Sequence, residues 1–182
     1  MPTAIQILTE QFTESSAALL RLLGSVSKDE FLWRPAEGAW SVHHRSDDCP
    51  IPADGSGDWV IDYVWPDPDP APVTTMAWRA VHVASVNWMY WEYAFGPGEL
   101  TFPALDLPQP APEHVARWLE QSQGKLIEAM GSLEDSDLDE ERNTNWGEQW
   151  PTRQLFKTLI HEQVHHGAEM SLLRDLWRAR SN

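Results

Sequence analysis

The sequence predicts an all-α fold in which four long helices form a bundle, within one domain that covers residues 1–182. Four segments carry apolar residues three or four positions apart, which is the spacing of one helical face. Long stretches rich in Pro and Trp, without a helical period, separate these segments; the chain contains 14 Pro and 11 Trp. A chain of 182 residues can bury one sizeable core without disulfides or a structural metal.

The first helix is predicted to begin after Thr3, whose side chain can cap it, and to end at Gly24. Ser27 and Glu30 follow at the spacing of a capping box and predict a short helical turn. Pro35 stops that turn, because the residue before a proline disfavours helical backbone.

An irregular connection is predicted over residues 34–75, where repeated prolines with Gly and Asp between them leave no sustained helical period. Its Trp, Tyr and Val residues make it too apolar for a disordered linker, so we expect it to pack over one end of the bundle. Residues 59–65 are compatible with a short strand pair. The Trp enrichment favours packing between helices over the lining of a pocket.

The second long helix is predicted to begin at residues 74–75 and to end at Gly96. The third follows a Pro-rich connector and runs from near Pro112 to Gly131. The fourth begins at residues 151–152 and continues almost to the C-terminus.

The charge of the chain argues against two classes of partner. Its 28 Asp and Glu against 13 Lys and Arg give a formal net charge of −15. Such a chain repels nucleic-acid phosphates and anionic membrane surfaces, so we expect neither partner. The acidic run over residues 134–141 is interpreted as a solvated turn or short helix.

Cys49 is the only cysteine, so an intramolecular disulfide is excluded and a reducing, cytoplasmic setting is expected. The first 23 residues mix polar with apolar side chains, unlike a signal peptide or a membrane span. Cys49 lies beside Pro50 in the irregular connection, without a discernible activating environment, and is not nominated as a nucleophile.

The string HEQVHHGAE, residues 161–169, places His161 and His165 one helical turn apart on the same face, where two imidazoles can share a metal ion. Eleven residues make almost three turns, so Leu172 and Leu176 continue that face. The pair is therefore predicted to face the bundle interior.

His82 lies on an otherwise mostly apolar stripe of the second long helix and supplies a third imidazole from a facing helix. Three neutral imidazoles with open positions suit a divalent transition metal: zinc is the first prediction, with nickel and iron as alternatives. A competing register on the fourth helix, Glu162 with His166, is not excluded by the helical wheel, so His166 could replace His161 or His165.

The other histidines and one short motif carry less weight. His43, His44 and His114 are expected to be exposed. Residues 161–165 also match HExxH, the motif of zinc metalloproteases, but the extended HExxHxxGxxH form fails at Ala168, where it needs Gly. A protease is therefore disfavoured.

Three strings resemble one family. VTTMAWRAVHVASVNWMYWEYAFG and HEQVHHGAEMSLLRDLWRA resemble the second and last helices of the DinB/YfiT-like superfamily of metal-dependent enzymes, and EFLWRPAEGAWSV resembles a connection in its actinobacterial-type members. The resemblance implies an up-down-down-up four-helix bundle, often a homodimer. It implies metal ligation by His82, His161 and His165. The family includes thiol-dependent transferases and isomerases.

The function hypothesis follows from the metal site. A bound ion would lower the pKa of a water or low-molecular-weight thiol, for hydrolysis or thiol transfer on an unidentified small-molecule substrate. Glu162 or Glu169 could move the proton. The alternative is a non-catalytic helical module that binds metal or a small molecule.

Overall fold

The computed structural model describes residues 1–66 and 68–180. Its described part is mostly helical, and the helix bounds confirm the sequence predictions. The helices are α1 (Ala4–Leu23), the short α2 (Lys28–Leu32), α3 (Met76–Phe95), α4 (Pro112–Gly131) and α5 (Thr152–Ala179).

Local capping explains where these helices begin. The Thr3 side chain accepts a hydrogen bond from the backbone N–H of Gln6, whose side chain accepts one from the backbone N–H of Thr3. Ser27 and Glu30 form the same reciprocal box at the start of α2. Such boxes satisfy N–H groups that the first turn of a helix leaves unpaired.

The four long helices contact one another in a ring: α1 packs against α4 and α5, and α3 packs against the same two helices. The approach of α5 to α1 is close at Gly167, where a Cβ would lie 2.9 Å from Cδ2 of Leu19. Apolar clusters fill the interior, one of them around Phe12 and Phe156 of α1 and α5. The up-down-down-up order stays a prediction.

The connection between α2 and α3 holds a small antiparallel sheet of β1 (Val42–His44), β2 (Ala53–Asp54) and β3 (Trp59–Asp62), in the order β1-β3-β2. The expected packing on the bundle is confirmed, because Val42 and Ile61 are buried in the same apolar cluster as α3. The prediction of an irregular connection was wrong in part. β3 lies within residues 59–65, which the sequence left open as a short strand pair, whereas β1 and β2 were not predicted. Strand pairing joins residues far apart in sequence, which helical periodicity does not report.

A second strand pair, β4 (Glu141–Asn143) and β5 (Gln149–Pro151), precedes α5. The acidic run before it forms a short 3₁₀ helix over Asp135–Asp139, as the turn or short-helix interpretation predicted. Within residues 1–66 and 68–180, no helix is both long and apolar enough to cross a membrane.

Candidate metal centre

A cavity of about 400 Å³ lies where α3 and α5 meet the connection that precedes α3. All four histidines of these two helices line it: His82 of α3 and His161, His165 and His166 of α5. The lining residues are Trp40, Tyr63, Trp65, Ala71, Pro72, Thr74, Trp78, Arg79, His82, Trp146, His161, Glu162, His165 and His166.

His82 extends from the middle of α3 into this cavity with a side chain that is one-fifth exposed. Its imidazole stacks on the indole of Trp78, one turn earlier, with ring centroids 4.8 Å apart and planes 12° apart. Burial lowers the pKa of His82, although the nearby Glu162 carboxylate acts in the opposite direction. The neutral imidazole that results is the form that binds a metal ion.

His166 lies on the buried side of α5, between two carboxylates of its own helix. Its Nε2 is 3.1 Å from Oε2 of Glu162, and its Nδ1 is 2.6 Å from Oε2 of Glu169. Burial alone would lower the pKa of His166, but the hydrogen bonds with Glu162 and Glu169 outweigh it and raise the pKa above its ordinary value. The two carboxylates therefore fix the orientation of this ring.

Glu162 lies between the two imidazoles, since the same Oε2 is 3.5 Å from Nε2 of His82. Burial would raise the pKa of Glu162, but hydrogen bonds with His166 and His82 hold it far below its ordinary value. The carboxyl group is thus ionised, and an anionic oxygen is available where the two rings meet.

Glu169 holds the far side of His166 and is itself paired with Arg79 of α3, whose Nε is 3.1 Å from Oε2 of Glu169. Against the effect of burial, His166 and Arg79 together lower the pKa of Glu169. Arg79 lies three residues before His82, so both side chains project from one face of α3.

The donor atoms of His82, Glu162 and His166 all lie within 4.8 Å of one another. Two imidazole nitrogens and one carboxylate oxygen form a donor set that suits divalent Zn, Fe or Ni. Because the donors converge from facing helices at the wall of a cavity, the residues present fit a metal ion with room for a further small ligand.

Comparison with known proteins identifies the family and the fold of the chain. The family model described as the DinB superfamily matches residues 52–170, a segment that contains the whole donor set. The chain belongs to the DinB superfamily. A solved DinB-like protein from Bacillus cereus ATCC 10987 superimposes with a TM-score of 0.61 at 15% sequence identity, over 97% of this chain and 94% of that one. That likeness shows a shared fold, and no curated protein matches the sequence.

His161 and His165, the other histidines nominated on the last DinB helix, line the same cavity but form a separate pair. Their rings stack with centroids 5.5 Å apart, and the His165 side chain is 53% exposed. Nε2 of His165 is 3.5 Å from Oε1 of Glu169, and His165 forms a second potential donor group with His166 and Glu169. Neither His161 nor His165 shares a donor group with His82 among the described residues.

The prediction that His161 and His165 face the bundle interior was wrong. Leu172 and Leu176, which continue their face, are 60% and 48% exposed. The interior stripe of α5 runs instead through Leu155, Phe156, Leu159, Gln163, His166 and Met170. The alternative register of Glu162 and His166, which the helical wheel left open, is therefore the one nearer the interior of this DinB fold.

The remaining histidines are less exposed than expected. His43 has a side chain only 12% exposed, because it lies on β1 with its Nε2 2.9 Å from Oδ1 of Asp62. His44 and His114 are half-buried. The strand β1 that carries His43 and His44 was not predicted, although its partner β3 lies within residues 59–65, where a short strand pair was left open.

Aromatic rings form much of the cavity wall, whereas the Trp enrichment favoured packing between helices over the lining of a pocket. Trp40 packs on Trp78, with ring centroids 6.0 Å apart, and both rings are buried. Trp65 and Trp146 meet at 6.0 Å and are 68% and 51% exposed, so they lie at the cavity mouth. Trp146 comes from the β4–β5 turn, far along the chain from Trp65, and only the folded DinB chain brings the two together.

Proposed function

We propose that this DinB protein is a metal-dependent enzyme whose divalent ion is held by His82, Glu162 and His166. One observation carries the proposal: the three donor atoms lie within 4.8 Å of one another beside a cavity of about 400 Å³. A cavity of this size accommodates a small-molecule substrate.

The ligand set that the resemblance implies, His82 with His161 and His165, is the competing assignment. Both sets share His82 and differ in the register used on α5. Burial supports the set with His166, since its side chain is 8% exposed against 53% for His165. Buried imidazoles that already converge on one oxygen lose less conformational entropy on binding an ion than exposed ones.

Residues around the donors have supporting roles. Glu169 accepts a hydrogen bond from Nδ1 of His166, which leaves Nε2 directed at the proposed ion. Carboxylate partners of this kind orient a ligand imidazole and increase its basicity. Arg79 neutralises Glu169, and Trp78 holds the His82 ring by stacking. These contacts favour a positioning role for Glu169 over the proton transfer proposed from its sequence position.

When bound, a divalent ion at this point lowers the pKa of a water or thiol, which makes hydrolysis or thiol transfer accessible at neutral pH. Glu162 could accept a proton only if it is not occupied as a ligand, so its two candidate roles exclude each other. The exposed indoles of Trp65 and Trp146 provide apolar surface for the substrate at the cavity mouth. We propose zinc as the metal, with nickel or iron as alternatives.

Three further expectations accompany the proposal: the up-down-down-up order of the bundle, a homodimer and a cytoplasmic setting. They derive from the family resemblance and from the single cysteine. Size-exclusion chromatography with light scattering measures the second of them directly.

The test of function is consumption of a low-molecular-weight thiol with an electrophilic acceptor, and hydrolysis of activated esters, by chelator-treated protein before and after addition of Zn²⁺, Ni²⁺ or Fe²⁺. Turnover is expected only with metal, and it should be lost in His82→Ala. His114→Ala is the matched control, because His114 lies outside the cavity. Stoichiometric metal binding without turnover across both panels would favour the non-catalytic binding module.

A further inference from the structure

A second cluster of metal-binding side chains lies on the small sheet and shares no residue with the proposed DinB centre. His43 is on β1, Asp62 ends β3, and Cys49 lies in the loop between β1 and β2. Nε2 of His43 is 2.9 Å and Sγ of Cys49 is 3.6 Å from Oδ1 of Asp62. We propose that His43, Cys49 and Asp62 bind a second divalent transition metal, of the zinc class.

The spacing of the donors fits a tetrahedral ion. Zinc bonds of about 2.0–2.3 Å to N, O and S place neighbouring donors roughly 3.3–3.7 Å apart. All three donor atoms here lie within 4.8 Å of one another. The separation of 3.6 Å between Cys49 and Asp62 falls within that range, and the separation of 2.9 Å between His43 and Asp62 is shorter than it. Small side-chain rotations therefore suffice to bring the three donors around one ion.

The buried carboxylate supplies the second argument. Asp62 is fully buried, and its Oδ2 accepts a hydrogen bond from the backbone N–H of Ser41 at 2.7 Å. Its Oδ1 faces His43 and Cys49. Within the described part of the chain the ion-pair partner of Asp62 is His43, which carries charge only when protonated. A buried carboxylate of this kind is stabilised by a cation beside it.

The orientation of His43 also fits a ligand. Its Nδ1 lies 3.1 Å from the carbonyl oxygen of His44. When Nδ1–H donates to that carbonyl, the lone pair of Nε2 points at the Asp62 carboxylate, and the two electron-rich atoms repel unless a proton or metal ion lies between them. Donation of the second ring N–H to a backbone carbonyl is the usual arrangement of a metal-bound histidine.

An ion here would join β1, β3 and the loop that carries Cys49. It would thereby stabilise the connection between α2 and α3, part of which lines the cavity. The backbone oxygen of Asp62 accepts a hydrogen bond from Nε1 of Trp78 at 2.7 Å, and Trp78 stacks on His82. Binding releases the thiol proton of Cys49 to solvent, and the resulting thiolate is the ligand. Three protein donors leave the fourth position to water.

The experiment is titration of the chelator-treated, full-length protein with Co²⁺, followed by absorption spectroscopy. Thiolate-to-cobalt charge transfer gives a near-ultraviolet band, which within one chain requires Cys49, the only cysteine. The band is expected in the wild type and in His82→Ala, and it should be absent in Cys49→Ser. In His43→Gln the cobalt affinity read from the band should fall more than about tenfold. His44→Gln is the matched control, because the His44 ring contacts Ser46 and Trp59 instead of Asp62.

The proposal is overturned if the wild type shows no band, or if His43→Gln binds cobalt through Cys49 as tightly as His44→Gln does. Zn²⁺ should also slow alkylation of Cys49 in the wild type, a readout that does not depend on variants folding; unchanged alkylation would count against the site. This inference does not rest on the proposed function. Failure of the DinB centre removes metal-dependent turnover and leaves the band intact, because that centre contains no sulfur donor.

Discussion

Nδ1 of His166 lies 2.6 Å from Oε2 of Glu169, three residues further along α5. The contact fixes the ring of the most buried histidine at the proposed centre. It also connects the centre to α3, because Arg79 pairs with the same carboxylate oxygen.

The first prediction concerns this contact. Glu169→Gln should lower the affinity for Zn²⁺ by about 10- to 100-fold, because the neutral amide orients His166 less firmly and increases its basicity less. Isothermal titration calorimetry of chelator-treated protein in the Cys49→Ser background, which removes the proposed second site, measures the change. Glu120→Gln, an exposed position on α4, should leave the affinity unchanged. Equal affinities in the two variants would remove Glu169 from the centre.

A second prediction isolates the hydrogen bond between Trp78 and β3. Trp78→Phe keeps an aromatic ring over His82 but leaves the backbone oxygen of Asp62 without the indole N–H. The loss should reduce the free energy of unfolding by about 1–3 kcal/mol. Trp88→Phe is a control for the smaller ring, since Nε1 of Trp88 has no hydrogen-bond partner among the described residues. Urea denaturation should show the larger loss at Trp78; the reverse order would contradict this prediction.

A third prediction tests the buried polar contact through which α5 joins α1 and α4, next in sequence to Glu162 of the proposed metal centre. The buried Gln163 side chain accepts hydrogen bonds from Ser16 of α1 at 3.0 Å and from Gln123 of α4 at 2.6 Å. Gln163→Leu leaves two buried donors unpaired and should destabilise the fold by about 1–3 kcal/mol or more. Gln154→Leu, on the exposed side of α5, should change stability by less than about 0.5 kcal/mol. Similar melting temperatures for both variants would show that the contact contributes little.

The fourth prediction concerns pH and the start of α1. The Asp135 carboxylate accepts hydrogen bonds from the backbone N–H groups of Ile5 at 2.9 Å and Ala4 at 3.1 Å, and these bonds lower the pKa of Asp135. Since the folded-state pKa is below the unfolded one, the stabilisation is present above the unfolded pKa of about 4 and is lost as the pH falls through the folded value.

Wild type should therefore be more stable than Asp135→Asn at pH 7, and the difference should shrink as the pH is lowered below about 4. Urea midpoints of both proteins across this range provide the measurement. A difference that stays constant with pH would mean that the Asp135 charge does not contribute.

The sequence predicted the helices well because their end signals are local. Thr3 and Ser27 cap the helices they precede, and each contact spans three residues. Of the three-stranded sheet, only the region of β3 was left open as a strand pair. Its pairing was not predicted, because Val42 pairs with Ile61 and such a register depends on the folded chain rather than on periodicity.

The candidate site follows from the sequence only in part. The histidines of α3 and α5 predicted a metal site that includes His82, and the DinB resemblance implied the same residue. The choice between His161 with His165 and Glu162 with His166 depends on how α5 is rotated against α3. A helical wheel gives relative angles only, and the exposure of Leu172 and Leu176 shows that its apolar face was misassigned.

Elemental analysis of variants in which one histidine at a time is replaced by alanine tests the central claim most directly. The variants are made in the Cys49→Ser background, which removes the proposed second site, and are loaded with Zn²⁺ and desalted. We predict about one tightly bound ion per chain in this background and in His161→Ala and His114→Ala, and loss of the ion in His82→Ala and His166→Ala with the helical circular-dichroism signal retained. Retention of the ion in His82→Ala, or no bound ion in any variant after loading, would contradict a metal centre between α3 and α5.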